Sequence, residues 1–197
     1  MKNGILRISE VFHFWNFFDI FSTVSKRGFF FMRSEFLSET TVKSLFEATK
    51  EGAWLPFAVS LATGLRIGDV LALRRVNVHD DYIEYQAAKT GKIGRASVTP
   101  QLARELRRNA GGGKWCFPGR KEGKHLTRQA AWYRLKVAAK RCGVSGEGIS
   151  PHACRKTFAV NALRETGSID AVQEKLQHEY VSDTCLYAFS DRLSKKR

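Results

Sequence analysis

A regular apolar rhythm begins at Ser38 and not before it. Residues 1 to about 36 are crowded with phenylalanine (Phe12, Phe14, Phe17, Phe18, Phe21, Phe29, Phe30, Phe31), but their apolar positions keep no clean period. They predict either a helix packed on the domain or the stump of a lost one. From Ser38 onward the pattern is legible. Ser38 can cap a helix whose apolar positions are Val42, Leu45 and Phe46, and Gly52 ends it. A second helix spans about Trp54 to Thr63, with Leu55, Ala58, Leu61 and Ala62 inward and Gly64 as its stop. A third runs from Ile67 to Arg74.

The period then changes. Tyr82-Ile83-Glu84-Tyr85-Gln86 alternates, and Ala96-Ser97-Val98-Thr99 is its candidate partner. The turn-rich Lys89-Thr90-Gly91-Lys92-Ile93-Gly94 between them predicts an antiparallel hairpin with Lys89 near its tip. The remainder is helical: about 101–109, a break at Gly111-Gly112-Gly113, then about 128–142. Ser150, Pro151 and Gly167 bound the next helix as N-cap, first residue and stop. Ser168 caps another through Gln177, and a last one covers about Ser182 to Phe189. The predicted fold is mainly α with a small antiparallel β-sheet, an α+β class.

Charge narrows the partner. The chain of 197 residues carries a net charge of +14 with a sequence pI near 9.9. That balance points to a polyanion, nucleic acid first and a membrane surface second. The charge is also concentrated. Residues 101–142 hold twelve basic side chains against Glu105 and Glu122 alone. Trp115, Phe117, Trp132 and Tyr133 interrupt them, and helical spacing assigns all four to the core. The basic side chains then meet phosphates rather than bases. No two of Cys116, Cys142, Cys154 and Cys185 have the spacing of a zinc site or redox pair, so they read as buried, reduced thiols of a cytosolic protein. No apolar run approaches the ~20 residues of a membrane span.

Five residues suggest chemistry. Arg66 follows Thr63-Gly64-Leu65. His152 and Arg155 stand three apart on one face of a proline-started helix, at the end where free N–H groups attract phosphate. His178 follows a helix end, and Tyr187 lies nine residues later. Singly, each has a plain reading: a solvated arginine, a capping histidine, a core tyrosine. Together they fit one job. Arginines neutralise a phosphate, histidines move protons, and a tyrosine attacks, giving a covalent phosphotyrosine without a metal.

Their order and context are more specific. The boxes Ala62-Thr63-Gly64-Leu65-Arg66-Ile67-Gly68-Asp69, Pro151-His152-Ala153-Cys154-Arg155-Lys156-Thr157-Phe158-Ala159, and Leu176-Gln177-His178 with Tyr187 nine on, resemble the tyrosine recombinase (phage integrase) family. Lys89-Thr90-Gly91-Lys92 is similar to its β-hairpin lysine. The resemblance covers about Phe36 to Asp191. It implies a recombinase-like catalytic domain over 37–191, an N-terminal arm or remnant over 1–36 and a basic tail over 192–197. It further implies site-specific cutting and rejoining of double-stranded DNA, with no metal and no cofactor. Arg66, Lys89, His152, Arg155, His178 and Tyr187 take the catalytic roles by resemblance, and Asp69 the position that supports the first arginine. Lys92, Arg95, Arg128, Arg134 and Lys156 are the expected DNA contacts.

The resemblance also implies a cytoplasmic protein of a prokaryote, phage or mobile element. The expectation is a monomer in solution that forms a homotetramer on DNA, with no membrane partner. Two departures stand out. The family usually has Gly where this chain has Gln177, and His where it has Lys156. Residues 1–36 are also too few for the DNA-clamping domain most members carry, so the reading is a truncated catalytic domain or a compact single-domain member. The rival functions are type IB topoisomerase-like relaxation and an inactive DNA-binding remnant.

Overall fold

A computed structural model describes residues 36–49, 53–143 and 149–191. The expectations for 1–35, Gly52 and the tail 192–197 lie outside the described residues. Eight α-helices and one hairpin appear in the described chain: α1 (Glu39–Ala48), α2 (Leu55–Thr63), α3 (Ile67–Leu71), β1 (Tyr82–Gln86), β2 (Ile93–Ser97), α4 (Pro100–Ala110), α5 (Arg128–Arg141), α6 (Pro151–Thr166), α7 (Ile169–Leu176) and α8 (Val181–Ala188). This is the mainly helical α+β arrangement the pattern predicts. None of the described helices is long and apolar enough to cross a membrane.

Local chemistry sets most boundaries. Ser38, Thr99, Thr127, Ser150 and Ser168 each accept a backbone N–H in the first turn of α1, α4, α5, α6 and α7. Gly64 and Gly167 close α2 and α6 in the left-handed conformation. The strands pair antiparallel from Tyr82↔Ser97 to Gln86↔Ile93. The second strand thus starts three residues earlier than its β-prone residues suggest, because the turn at 88–90 is tight and fixes the register. α3 ends at Leu71, short of Arg74, and the chain continues as a 3₁₀ turn over Arg75–Asn77.

Three aromatic residues expected inside are exposed. Phe46 is 60% exposed, because Leu45 beside it is fully buried and adjacent helical positions cannot both face the core. Trp132 and Tyr133 are 44% and 70% exposed. The buried face of α5 is the narrow row Ala131, Leu135, Ala138 and Ala139, which turns both aromatics outward. Phe117 is buried as expected, and Trp115 half-buried. α2 departs similarly: Phe57, Val59, Ser60 and Thr63 are buried, whereas Ala62 is exposed. Of the cysteines, Cys116 and Cys154 are buried, and Cys142 and Cys185 only half-buried.

Two apolar clusters hold the fold. The larger joins α1 to α5 and the hairpin around Leu45, Phe57, Val70, Ile83, Leu106 and Leu135. Burying each such side chain contributes about 1.5–3 kcal/mol. The smaller joins α6, α7 and α8 through Ala159, Ala162, Val172, Leu176 and Ala188. Helix α6 enters the first cluster with Ala153 and Cys154 and the second with Ala159. Between them it buries three polar residues in a row, Arg155, Lys156 and Thr157. Buried polar groups need partners, and Arg155 finds its own at the ends of two other helices.

Candidate active site

Arg155 is 3% exposed. Its Nη1 donates to the Gly64 carbonyl and its Nη2 to the Leu176 carbonyl. These carbonyls close α2 and α7, where the helix dipoles concentrate partial negative charge. One guanidinium therefore ties together two helix ends. Arg66 lies two residues beyond the first carbonyl, and His178 two residues beyond the second. Gly64 is required for this approach: its φ is 71°, and a Cβ there would stand 2.6 Å from Cε1 of Phe158 on α6.

Burial and the nearby Arg66 charge push the Arg155 pKa down to about 10, so the group remains a cation at neutral pH. Among the described residues neither guanidinium is in a salt bridge. The two cations repel each other, and the nearby Asp69 carboxylate forms no salt bridge with either, an arrangement that favours an anion between them. Arg155 keeps three of its five N–H donors after the two carbonyl bonds.

Tyr187, on α8, brings its hydroxyl to 3.4 Å from Nδ1 of His152. Burial raises the phenol's pKa above 10, with the Arg155 and Arg66 charges acting the other way. The nucleophile candidate is thus protonated at rest. His152 as a whole is exposed, but partial desolvation of its ring, then the charges of Arg155, Lys156, Arg66 and Arg128, lower its pKa below 6.5. The imidazole is therefore neutral at pH 7 and competent to accept a proton.

Burial, followed by Arg155, Arg66 and Lys89, lowers the His178 pKa to about 4. Its Nδ1 lies 3.1 Å from Oγ1 of Thr184, which is fully buried. With Thr184 donating, the proton of neutral His178 sits on Nε2, leaving a donor for an anion. The His178 and Tyr187 rings meet edge to face at 5.1 Å.

Lys89 is exposed in the turn between the strands, close enough to His178 to affect its titration. Asp69 is buried, and its Oδ1 accepts the Ala88 N–H at 2.9 Å. That carboxylate fastens the hairpin next to Lys89, a contact the expectation of support for Arg66 does not include. All six predicted residues therefore converge from five segments of chain.

The expected outer contacts divide. Lys92 and Arg128 are exposed, and Arg128 packs near Gly68 beside the site. Arg134 is exposed too, and lines a cavity of about 490 Å³ between α1 and α5. Arg95 is held by Glu84 at 2.9 Å. Lys156 is buried, with its ammonium 5.8 Å from the centre of the Tyr187 ring, beside the nucleophile candidate rather than on the outer face.

Sequence reading assigned no role to Thr184 or Tyr85. Thr184 carried a signal, since it lies one helical turn before Tyr187. Tyr85 carried none, because its contact at the site spans 92 positions.

Comparison with known proteins bears on the family and the fold. The model of the Phage integrase family matches residues 35–193. A tyrosine recombinase XerC of Roseiflexus castenholzii is 34% identical over 141 residues, covering 64% of this chain and 43% of that protein. A tyrosine recombinase XerD of Brucella suis is 30% identical over 146 residues, covering 68% of this chain and 47% of that protein. The chain thus spans less than half the length of either relative. The solved lambda integrase tetramer bound to a Holliday junction shares the fold, with a TM-score of 0.67, 18% identity, and coverage of 88% of this chain and 57% of that one.

Proposed function

Because this chain belongs to the phage integrase family, we propose that it is a DNA strand transferase that carries out site-specific recombination. It cuts one strand at a time and rejoins it through a 3′-phosphotyrosine. The observation that carries this reading is the Tyr187 hydroxyl facing neutral His152 beside two arginines.

The residues divide the work by position. Tyr187 Oη attacks a backbone phosphorus, and its proton passes to Nδ1 of His152. Negative charge grows on the non-bridging oxygens. Arg66, the remaining donors of Arg155 and Nε2 of His178 receive it, each preorganised donor being worth about 3–4 kcal/mol of barrier. The P–O5′ bond breaks, and Lys89 supplies the proton the leaving oxygen needs. The phosphotyrosine bond conserves the energy of the phosphodiester, so the reverse attack by a 5′-hydroxyl reseals the strand without a nucleotide.

Double-stranded DNA is the substrate. The exposed cations of α4, α5 and the loop between them supply most of the attraction to it. Residues 37–191 form the catalytic domain. The free protein is a monomer, and four copies assemble on two duplexes, in the cytoplasm of a prokaryote. A nicked suicide duplex, from which the short 3′-terminal product diffuses away, tests the chemistry. A covalent protein–DNA band on a denaturing gel is expected. Retarded DNA without that band would mark a binding protein instead.

A further inference from the structure

The turn that leads into His178 is closed by Gln177, at φ 50° and ψ 44°. It is the one non-glycine residue with positive φ among those described. Glycine adopts this conformation without steric cost, and glutamine does not. Its side chain is engaged across the site. Nε2 donates to Oη of Tyr85 at 2.7 Å. Tyr85 lies on β1, opposite Gly94 on β2. A Cβ at Gly94 would come within 2.8 Å of both Nε2 of Gln177 and Oη of Tyr85. The bare backbone at Gly94 is what lets the amide and the phenol meet.

This bond completes a pair of anchors. Asp69 holds the Ala88 N–H, and Gln177 holds Tyr85. Both anchored residues lie on the β1 side, and the hairpin segment that runs on from them, Ala88 to Ile93, is exposed and includes Lys89. A two-stranded ribbon is marginal by itself; Ile83 and Ala87 hold its base in the larger core, and these two bonds add polar ties nearer its turn.

We propose that Gln177 is a positioning residue: its amide latches the hairpin that carries Lys89 to the turn that carries His178, so the proton donor and the phosphate-binding histidine are presented as one unit. This rests on the strand-transfer reading given above. The side chain touches neither phosphate nor leaving group, and acts through Lys89.

The test uses the whole chain and two nicked duplexes, one with an ordinary 5′-oxygen and one with a 5′-bridging sulfur that leaves without a proton. Gln177→Gly removes the latch and relieves the backbone; Tyr85→Phe removes the acceptor and keeps the ring. Each is expected to slow cleavage of the oxygen substrate by roughly tenfold or more, the scale on which misplacing a catalytic group acts. The double variant should be no slower than the worse single one. The sulfur substrate should be cleaved at close to the wild-type rate, and Gln177→Gly should melt no lower than wild type. Cleavage of the oxygen substrate by Gln177→Gly at the wild-type rate would overturn the latch. Equal losses on both substrates would overturn it as well, since the effect then does not pass through Lys89. A wild-type chain that forms no adduct with either duplex defeats the strand-transfer reading itself, and the latch with it.

Discussion

The Tyr187 hydroxyl stands 3.4 Å from Nδ1 of His152, and both groups are neutral at pH 7. Deprotonation must therefore accompany attack rather than precede it. Tyr187→Phe should keep DNA affinity and abolish the covalent adduct. His152→Ala should keep the adduct but slow its formation by about 10²–10⁴, the usual worth of a positioned base. Tyr180 is the rival nucleophile in sequence, but it precedes α8 and is 61% exposed. Adduct formation by Tyr187→Phe would transfer the role to another residue.

Lys89 can be isolated by its leaving group. A departing 5′-alkoxide has a conjugate acid about as weak as water, with pKa ~15.7. A thiolate leaves with pKa ~8.5 and needs almost no acid. Lys89→Ala should cleave ordinary DNA poorly and a 5′-bridging phosphorothiolate at close to the wild-type rate. Arg155→Ala should show no such rescue. Rescue of Lys92→Ala in place of Lys89→Ala would move the proton donor three residues along the hairpin.

His178 should make the fold sensitive to mild acid. Its pKa is about 4 when folded, against an ordinary 6.5. Above pH 6.5 both states are neutral, and the residue contributes no pH dependence. Between 6.5 and about 4 the unfolded chain binds a proton that the folded one excludes, so stability falls as pH falls. Below about 4 the contribution is level. His178→Gln should flatten this part of the stability profile, measured by denaturant unfolding across the range. A profile identical to wild type would contradict the desolvated environment of the ring.

Eleven of the twelve cations in residues 101–142 are exposed, and Arg107 is half-buried and pairs with Asp80 at 2.8 Å. DNA affinity should thus fall steeply with salt, with a slope of log K on log salt of about −0.9 per phosphate neutralised. Fluorescence anisotropy on a duplex at several salt concentrations measures it. A flat dependence would remove these side chains from the interface.

Gly64→Ala tests the packing under the site. The new Cβ meets Phe158 at 2.6 Å and sits on a φ of 71°. Overpacking costs about 1–3 kcal/mol, and the left-handed conformation about 1–2 kcal/mol more. A fall in melting temperature should accompany loss of adduct. A variant as stable as wild type would mean that α2 and α6 slide apart easily.

Much of this was legible in the chain because it is local. N-caps at Ser38, Ser150 and Ser168, the stops at Gly64 and Gly167, and the order of the boxes are all written in neighbouring residues. The errors are also physical. Trp132 and Tyr133 face outward because alanines already fill the buried side of α5, and hydrophobicity alone does not tell a core aromatic from an exposed one. The tie from Asp69 to Ala88 and that from Gln177 to Tyr85 join residues 19 and 92 positions apart. Such pairs appear only once the chain is folded.

The double attachment of Arg155 bears on how an inactive control should be chosen. Its guanidinium satisfies carbonyls at the ends of two helices, and replacing it with alanine leaves both buried without a donor. A silent Arg155→Ala enzyme therefore confounds lost chemistry with loosened architecture, and its failure to bind or assemble says nothing about the phosphate. Tyr187→Phe takes away one oxygen at the edge of the site. It is the variant with which to trap the uncut complex, and against which every other loss is best measured.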